Sequence, residues 1–261
     1  MEISDGTKTS QDAQVFLFVT CLADLLRPSV AFASLALLEW AGYRVTVPDR
    51  QTCCAQPAYN NGDYKGARRL AERVIAMLEP ADYVVAPSGS CAGMIRHHYP
   101  RLVAGRWRDR AISLAGKTYE LTAFLADVAT LTDLPASSPT PRAVAYHDAC
   151  AGLREMGVRQ QPRKLLRELR QVEVREFEGA DVCCGFGGTF CAKMPEISAR
   201  MADAKLDAAL ATGASMITGG DLGCLFSLAG RASRRGDEIE IRHVAELLCG
   251  DLDSPAIGRP D

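Results

Sequence analysis

Eight of the ten cysteines in this 261-residue chain follow one pattern that occurs twice. The first copy reads C-x31-CC-x36-C and the second reads C-x32-CC-x39-C. The cysteines of the first copy are Cys21, Cys53, Cys54 and Cys91, and those of the second are Cys150, Cys183, Cys184 and Cys224. Corresponding cysteines lie 129 to 133 positions apart, which is typical of a tandem duplication. The pattern therefore predicts two similar halves, each with four thiols gathered at one place.

Short apolar runs alternate with helical patterns in both halves, which is typical of an α/β fold. The predicted strands cover residues 15–19, 44–47, 83–86, 143–146, 172–177 and 215–218. Each group of cysteines follows one of these strands. Because the carboxyl ends of parallel strands meet at one edge of a sheet, loops at that edge can bring distant thiols together. We therefore expect two tandem lobes, each with a short parallel sheet.

The predicted lobes cover residues 14–131 and 142–250, and a linker rich in proline and serine joins them at residues 132–141. Apolar helical patterns at 120–129 and 241–248 predict matching end helices. The arginine-rich segment 159–170 is interpreted as a solvated helix face. His147 and Asp148 precede Cys150 and are interpreted as polar residues that fix a loop, with a proton-relay role as the alternative.

The overall composition limits the partners and the compartment. The formal net charge is −2 and no block of basic residues occurs, so nucleic acid is not an expected partner. The longest apolar stretch, residues 30–41, is too short to span a bilayer. Residues 1–14 contain no apolar signal-peptide segment, so we expect a cytoplasmic protein. Cysteines in that compartment are rarely paired as disulfides, which favours metal binding.

Four converging thiolates suit an iron–sulfur cluster or a zinc ion. The long spacings, the adjacent cysteine pairs and the lack of short C-x2-C motifs favour one 4Fe-4S cluster in each lobe. Zinc in one or both sites is the alternative, and buried free cysteines are a third interpretation. Gly185, Gly187 and Gly188 follow the second pair and are predicted to let backbone N–H groups contact the cofactor. Ala55 takes the position of Gly185 in the first lobe.

Two features lie outside this pattern. Cys191 and Cys249 do not belong to the repeat and are interpreted as packed or partly exposed thiols. No flavin or nicotinamide motif and no hydrolase constellation occurs, so no catalytic residue is assigned from the sequence.

The chain resembles the cysteine-rich CCG-domain family, and within it the lactate utilization branch. That family includes the B subunit of heterodisulfide reductases and the iron–sulfur subunit of glycolate oxidase. The resemblance is carried by residues 18–30, 53–64, 83–94, 117–125, 181–198, 219–226 and 242–248. It implies two Rossmann-like lobes that are related by a pseudo-twofold axis.

The resemblance also implies a function. It indicates an electron-transfer subunit of a complex that oxidises L-lactate to pyruvate, with lactate utilization proteins B and C as partners. Relatives that hold a non-cubane cluster carry a fifth cysteine in each motif, where this chain has Met94 and Ser227. A four-thiolate site is therefore expected here. Ala151 stands where many relatives have histidine. The alternative function is a zinc- or thiol-stabilised scaffold that binds partner subunits without electron transfer.

Overall fold

The computed structural model describes residues 13–135 and 142–259, so residues 1–12 and most of the predicted linker lie outside the described residues. Each lobe contains one parallel sheet of four strands. The first sheet has the order β2-β1-β3-β4 and consists of β1 (Gln14–Leu17), β2 (Arg44–Thr46), β3 (Tyr83–Ala86) and β4 (Thr118–Glu120). The second has the order β6-β5-β7-β8 and consists of β5 (Arg142–His147), β6 (Val172–Arg175), β7 (Met216–Gly219) and β8 (Glu240–His243). The predicted α/β class with two tandem lobes is confirmed.

Helices connect the strands and cover both faces of each sheet. Those of the first lobe are α1 (Cys21–Leu26), α2 (Pro28–Trp40), α3 (Gln56–Asn60), α4 (Tyr64–Leu78), α5 (Gly89–Gly93), α6 (Tyr99–Leu102), α7 (Arg106–Gly116) and α8 (Leu121–Ala123), with π-helical turns at Met94–His98 and Phe124–Val128. Those of the second lobe are α9 (Cys150–Arg154), α10 (Gln160–Glu168), α11 (Phe190–Lys193), α12 (Pro195–Ala211), α13 (Leu222–Arg235) and α14 (Val244–Cys249). Among the described residues, no helix is both long and apolar enough to cross a membrane.

Helix α2 illustrates how the local sequence determines where a helix begins and ends. Pro28 is its first residue, where the fixed φ of proline suits a helix and no backbone N–H is needed. Gly42 follows the helix with φ 84°, a conformation that glycine adopts without steric cost. The buried face of α2 includes Val30, Leu37 and Leu38, which all have 0% exposure. The helix therefore begins, ends and packs as its sequence predicts.

The fourth strand of each sheet was not predicted. The segments 120–129 and 241–248 were predicted to be helical throughout, but the structure places β4 before α8 and β8 before α14. Glu120 and His243 each end a strand and cap the helix that follows it. These strands have only three and four residues. So few residues cannot show whether apolar side chains alternate as in a strand or recur as in a helix. The two end helices themselves are present and occupy matching positions.

The two lobes pack against each other as pseudo-twofold equivalents. Helix α2 packs on α14, and the corresponding α10 packs on α8 and the turn that follows it. One hydrophobic core spans both lobes and includes Leu37, Phe124, Leu165 and Leu248. At this boundary the buried Glu246 carboxylate accepts hydrogen bonds from Arg27 Nε at 2.7 Å and Ser29 Oγ at 2.6 Å. The lobes therefore form one packed body.

The arginine-rich segment 159–170 is only partly a solvated face. Arg163 on α10 is 4% exposed, and its guanidinium donates to both carboxylate oxygens of Asp148 at 2.8 and 2.9 Å. It also donates to Glu176, which follows β6. Sequence alone did not separate Arg163 from its solvated neighbours, because its acidic partners come from other elements. Asp148 thus fixes the loop before Cys150, in agreement with the structural interpretation of that residue.

Candidate metal centres

The first group of cysteines lies at the carboxyl edge of the first sheet. Cys21 is the first residue of α1 directly after β1, the pair Cys53 and Cys54 lies in the loop after β2, and Cys91 lies in α5 after β3. Their side chains form a chain of contacts in which Cys21 hydrogen-bonds Cys53, Cys53 hydrogen-bonds Cys54, and Cys54 hydrogen-bonds Cys91. The structure therefore brings together four thiols that are separated by up to 70 positions in the sequence.

The second group repeats this arrangement at the edge of the second sheet. Cys150 begins α9 after β5, the pair Cys183 and Cys184 follows β6, and Cys224 lies in the first turn of α13 after β7. Contacts run from Cys150 to Cys183, from Cys183 to Cys184 and from Cys184 to Cys224. Both groups therefore have the same order of contacts along the chain.

Proton sharing within the first group leaves one thiol much more acidic than its neighbours. Hydrogen bonds from Cys21 and Cys54 lower the pKa of Cys53 to about 3. The same contacts, together with burial, raise the pKa of Cys21 and of Cys54 above the ordinary value. The folded chain thus stabilises one thiolate by itself. A cation is needed to displace the remaining protons, which is how thiol sites bind metals.

The second group shows the same distribution of protons. Hydrogen bonds from Cys150 and Cys184 lower the pKa of Cys183 to about 2. The pKa of Cys150 and that of Cys184 are raised, mainly by their hydrogen bonds to Cys183. Sulfur donors of this kind suit zinc, copper(I) and iron–sulfur clusters rather than magnesium or calcium. The donor set of each group therefore fits the predicted metals.

The separation of the thiols distinguishes single ions from clusters. Tetrahedral zinc with Zn–S bonds of about 2.3 Å places its sulfurs about 3.8 Å apart. Among the described residues, three potential ligand atoms lie within 4.8 Å of one another only at His147, Cys184 and Cys224. Within each set of four cysteines, here called a tetrad, consecutive thiols are in contact. No three thiols of one tetrad lie within 4.8 Å of one another among the described residues. Both tetrads are therefore more extended than the ligand shell of a single ion.

The residue after each cysteine pair adopts a left-handed backbone conformation. Gly185 has φ 88° and Ala55, at the matching position, has φ 73°. The N–H of Gly185 donates to Cys183 Sγ at 3.4 Å, and the N–H of Phe186 donates to Cys184 Sγ at 3.5 Å. Alanine thus takes the conformation that glycine takes in the second lobe. The loop directs backbone donors at the sulfurs, which stabilises thiolate charge.

The other two predicted glycines shape the turn that follows. Gly187 and Gly188 have φ values of 51° and 65°. No contact joins either residue to a tetrad thiol in the described structure, so their role toward a cofactor stays a prediction. Cys191 is partly exposed, and its thiol donates to the Gly188 carbonyl at 3.3 Å. Cys249 is half-buried against the core shared by the lobes.

The second centre has two basic side chains in its surroundings. His147, at the end of β5, is 1% exposed, and burial together with the nearby Lys205 charge lowers its pKa to about 3. Lys205 on α12 is 4% exposed and donates to the Gly179 and Ala180 carbonyls at 2.7 and 3.0 Å. Burial lowers the pKa of Lys205, whereas the nearby thiols raise it.

The first centre has no such groups at the matching places. Phe18, three residues before Cys21, corresponds to His147, three residues before Cys150, and is fully buried. The buried side chains of α4, which matches α12, are all apolar: Ala67, Ala71, Val74, Ile75 and Leu78. The two centres therefore differ in charge and in donor atoms although their cysteines match.

Elements that carry the two centres are in contact at the boundary between the lobes. Asp221, the N-cap residue of α13, accepts hydrogen bonds from Ser90 N–H at 3.0 Å and Ser88 Oγ at 3.3 Å. Helix α5, which carries Cys91, packs on α9, which begins with Cys150. Their backbones approach so closely that a Cβ on Gly89 would overlap Gly152. This contact between α5 and α9 could not be predicted from the sequence, because it depends on how the two lobes pack.

Further features near the centres were also not predicted. The Tyr99 hydroxyl, which is fully buried, donates to the Cys54 carbonyl at 2.9 Å and so holds the first pair in place. A cleft of about 560 Å³ opens beside Cys21 and Cys53. Phe32, which lines this cleft, is 69% exposed. The first centre is therefore accessible from the surface.

These features define a protein built from two cysteine-rich domains, and the comparisons give the same class. The family described as "CCG: Cysteine-rich domain" matches residues 15–96 and 144–229, which together are more than half of the chain. The matched ranges contain both tetrads. The chain therefore belongs to the cysteine-rich CCG-domain family.

The curated relatives narrow this assignment. The chain is 43% identical over 237 residues to "Lactate utilization protein A 1" of Bacillus cereus (strain AH820), covering 90% of this chain and 98% of the relative. The same identity and coverage hold for "Lactate utilization protein A" of Bacillus thuringiensis (strain Al Hakam). Within the CCG-domain family, the chain thus belongs with the lactate utilization protein A proteins.

A solved structure supports the fold alone. A crystal structure of a hypothetical protein from Helicobacter pylori matches with a TM-score of 0.61 at 9% identity, and the match covers 95% of this chain. The chain spans 52% of that protein, so about half of the larger chain shares this two-lobed arrangement.

Proposed function

We propose that this protein is the iron–sulfur electron-transfer subunit of a system that oxidises L-lactate to pyruvate. The observation that carries the proposal is the convergence of four thiols in each lobe, with one thiol of each set made strongly acidic by its neighbours. In the proposal the first cluster is held by Cys21, Cys53, Cys54 and Cys91, and the second by Cys150, Cys183, Cys184 and Cys224. A 4Fe-4S cluster in each lobe supplies one-electron transfer when bound.

The protein contributes positions and charges to this function. The N–H groups of Gly185 and Phe186 donate to Cys183 and Cys184, and such contacts favour the more negative state of a centre. The buried Lys205 cation also favours the more negative state of the second centre. Packing of α5 on α9 keeps the two centres on neighbouring helices, which suits transfer of electrons between them. The cleft beside Cys21 and Cys53 offers a place where a redox partner could approach the first centre.

The lactate assignment comes from the relatives, which are named for lactate utilization and match this chain over nearly their whole length. In this proposal the partners are lactate utilization proteins B and C, and the compartment is the cytoplasm. Lactate is oxidised elsewhere in the complex, since no flavin or nicotinamide motif occurs in the sequence.

Metal analysis tests the electron-transfer part of the proposal. After anaerobic purification we expect about eight iron atoms and eight sulfides per chain, with broad absorption in the blue. Reduction with dithionite should bleach that absorption. Zinc without sulfide, at any stoichiometry, would contradict the proposal.

Complementation tests the lactate part separately. A Bacillus strain that lacks its own lactate utilization protein A should regain growth on L-lactate when it produces this chain. A matched Cys53→Ser and Cys183→Ser double variant, produced at the same level, should fail to restore growth. Growth with the double variant would show that the thiols are not needed for this role.

A scaffold stabilised by zinc is the second candidate function. It is favoured by one observation, the compact set of His147, Cys184 and Cys224, which resembles the ligand spacing of a single zinc ion. A scaffold would bind partner subunits and remain colourless. The metal analysis described above separates the two candidates.

A further inference from the structure

His147 faces the second centre from the end of β5. Its imidazole is 1% exposed, and one ring nitrogen lies within 4.8 Å of the thiols of Cys184 and Cys224, which are themselves that close together. Neither ring nitrogen has a hydrogen-bond partner of ordinary geometry. The Ala180 backbone is close enough to interact with the ring. The ring thus has the Ala180 backbone beside it and thiols within ligand distance.

An unpaired imidazole in the interior is unfavourable. A buried polar group without a hydrogen bond destabilises the folded state, because the loss of its hydration is not compensated. Phenylalanine would fill such a place without that loss, and Phe18 fills the matching place in the first lobe with 0% exposure. The presence of histidine therefore indicates a partner, for at least one ring nitrogen, that the protein chain does not supply.

The surroundings of the ring suit a metal ligand. Histidine that ligates a metal commonly directs its other N–H at a backbone carbonyl, and the Ala180 backbone interacts with the His147 ring. Iron in a cluster and zinc both accept imidazole together with thiolate.

We propose that His147 is a nitrogen donor to the metal centre of the second lobe. The second centre then has a mixed sulfur and nitrogen ligand set, in which the imidazole takes one of the four ligand positions in place of a thiolate, whereas the first centre has thiolates alone. This inference rests on the proposed function, in that it requires a metal in the second lobe. It makes the two centres chemically distinct and assigns the difference to one residue.

The first test needs no change at the site itself. The Cys54→Ser variant is expected to empty the first lobe, so the remaining metal reports on the second. That variant is grown with ¹⁵N-histidine and with unlabelled histidine and purified anaerobically. If the second lobe holds iron, pulsed electron paramagnetic resonance of the reduced protein should show a strong nitrogen coupling that changes with the label. If it holds zinc, X-ray absorption should show one nitrogen in the shell.

Variants identify the histidine. His147→Phe in the same background should lose the nitrogen coupling or the zinc-bound nitrogen, and His97→Phe is the matched control that should leave it intact. His97 lies in the π-helical turn after α5 and in no compact group of potential ligands. Phe18→His in an otherwise unchanged chain should add a nitrogen signal to the first centre. Chemical unfolding of each variant shows that the fold is retained.

The possible failures differ for the two proposals. A second lobe that holds iron and sulfide without any nitrogen coupling would overturn the role of His147 and leave the proposed function standing. A signal that persists in His147→Phe would do the same. Zinc without sulfide would contradict the proposed function, and a zinc shell without nitrogen would overturn the role of His147 as well. A second lobe that holds no metal in any anaerobic preparation would overturn both proposals.

Discussion

The residue that follows each cysteine pair fixes how the loop turns. Gly185 and Ala55 both occupy the left-handed region, and the backbone N–H of each faces the first sulfur of its cysteine pair. For a residue with a Cβ this conformation is less favourable by roughly 1–2 kcal/mol. The first lobe tolerates that penalty because Ala55 is completely buried and packs in the core around Cys54. Burial thus compensates in one lobe for the absence of glycine.

Gly185→Ala should disturb the second lobe more than its backbone angle alone implies. A Cβ there would lie 2.6 Å from the Ser198 carbonyl oxygen, so overpacking adds to the left-handed penalty. We expect about 3 kcal/mol of destabilisation and loss of metal from the second lobe. Gly188→Ala is the matched control, since its φ is 65° and nothing lies within 4 Å of the added atom. Denaturant unfolding and metal content measure both effects, and equal losses for the two variants would exclude the packing argument.

Glu120 makes stability depend on pH. Burial raises its pKa to about 7 from an ordinary value of 4.5, although Thr122 and Ala123 donate hydrogen bonds to Oε2. The folded state therefore favours the protonated carboxyl. Its stabilising contribution is fully present below pH 4.5 and is lost as the pH rises through 7. At pH 8 the ionised, buried carboxylate should destabilise the fold by about 3 kcal/mol relative to acid conditions.

Glu120→Gln tests this dependence. The amide keeps an oxygen for the Thr122 and Ala123 donors but has no charge at any pH. The variant should match the parent near pH 4 and exceed its free energy of unfolding by about 2–3 kcal/mol at pH 8. Chemical unfolding at a series of pH values measures the difference. A difference that is constant from pH 4 to pH 8 would show that Glu120 does not titrate in this range.

At the scale of elements, the sequence predicted most of the strands and helices but not all of their boundaries. Six of the eight strands were predicted because each is an apolar run next to a cysteine loop or a helix. The strands β4 and β8 are short and lead directly into helices, so local pattern could not distinguish them. The repeat pointed to the same eight thiols that the structure brings into contact, but their role as ligands stays a prediction. His147 and Asp221 were not assigned to the site, because their contacts arise from packing between elements.

Asp221 joins one helix of each lobe. It is the N-cap residue of α13, yet its carboxylate accepts the Ser90 N–H of α5 and the Ser88 hydroxyl. The Asp221 side chain makes no capping hydrogen bond to α13, so Asp221→Ala should chiefly leave these donors of the first lobe unpaired. We expect destabilisation by about 1–2 kcal/mol and weaker metal retention in the first lobe.

Asp221→Asn separates the hydrogen bonds from the charge, because its amide oxygen can accept the same donors. It should retain most of the stability that Asp221→Ala loses. Metal retention after chelator treatment is measured for both variants, with each lobe examined in the background of a serine variant in the other lobe. A loss confined to the second lobe would show that the contact from Asp221 to α5 has no role in the first centre.

At the scale of the whole molecule, the duplicated arrangement has become asymmetric. Both lobes retain the same sheet order and the same contacts between cysteines. The first centre opens onto an apolar cleft, whereas the second lies beside a buried histidine and a buried lysine. Matching cysteines have the same burial in the two lobes, so the asymmetry lies in the side chains around the centres and not in the exposure of the thiols.

The two centres should nevertheless lose their metal independently. Cys54 and Cys184 are buried at matching places, with 3% and 2% exposure, and the thiols that interact with each of them belong to its own lobe. Cys54→Ser should therefore remove about half of the metal, and Cys184→Ser the other half, because each set of thiolates is complete within its lobe. Cys249→Ser, outside both tetrads, is the control and should retain all of it. Iron, sulfide and zinc per chain are measured after anaerobic purification, with unfolding curves on the same samples. If Cys54→Ser emptied both lobes while the fold stayed intact, the centres would form one unit across the lobe boundary.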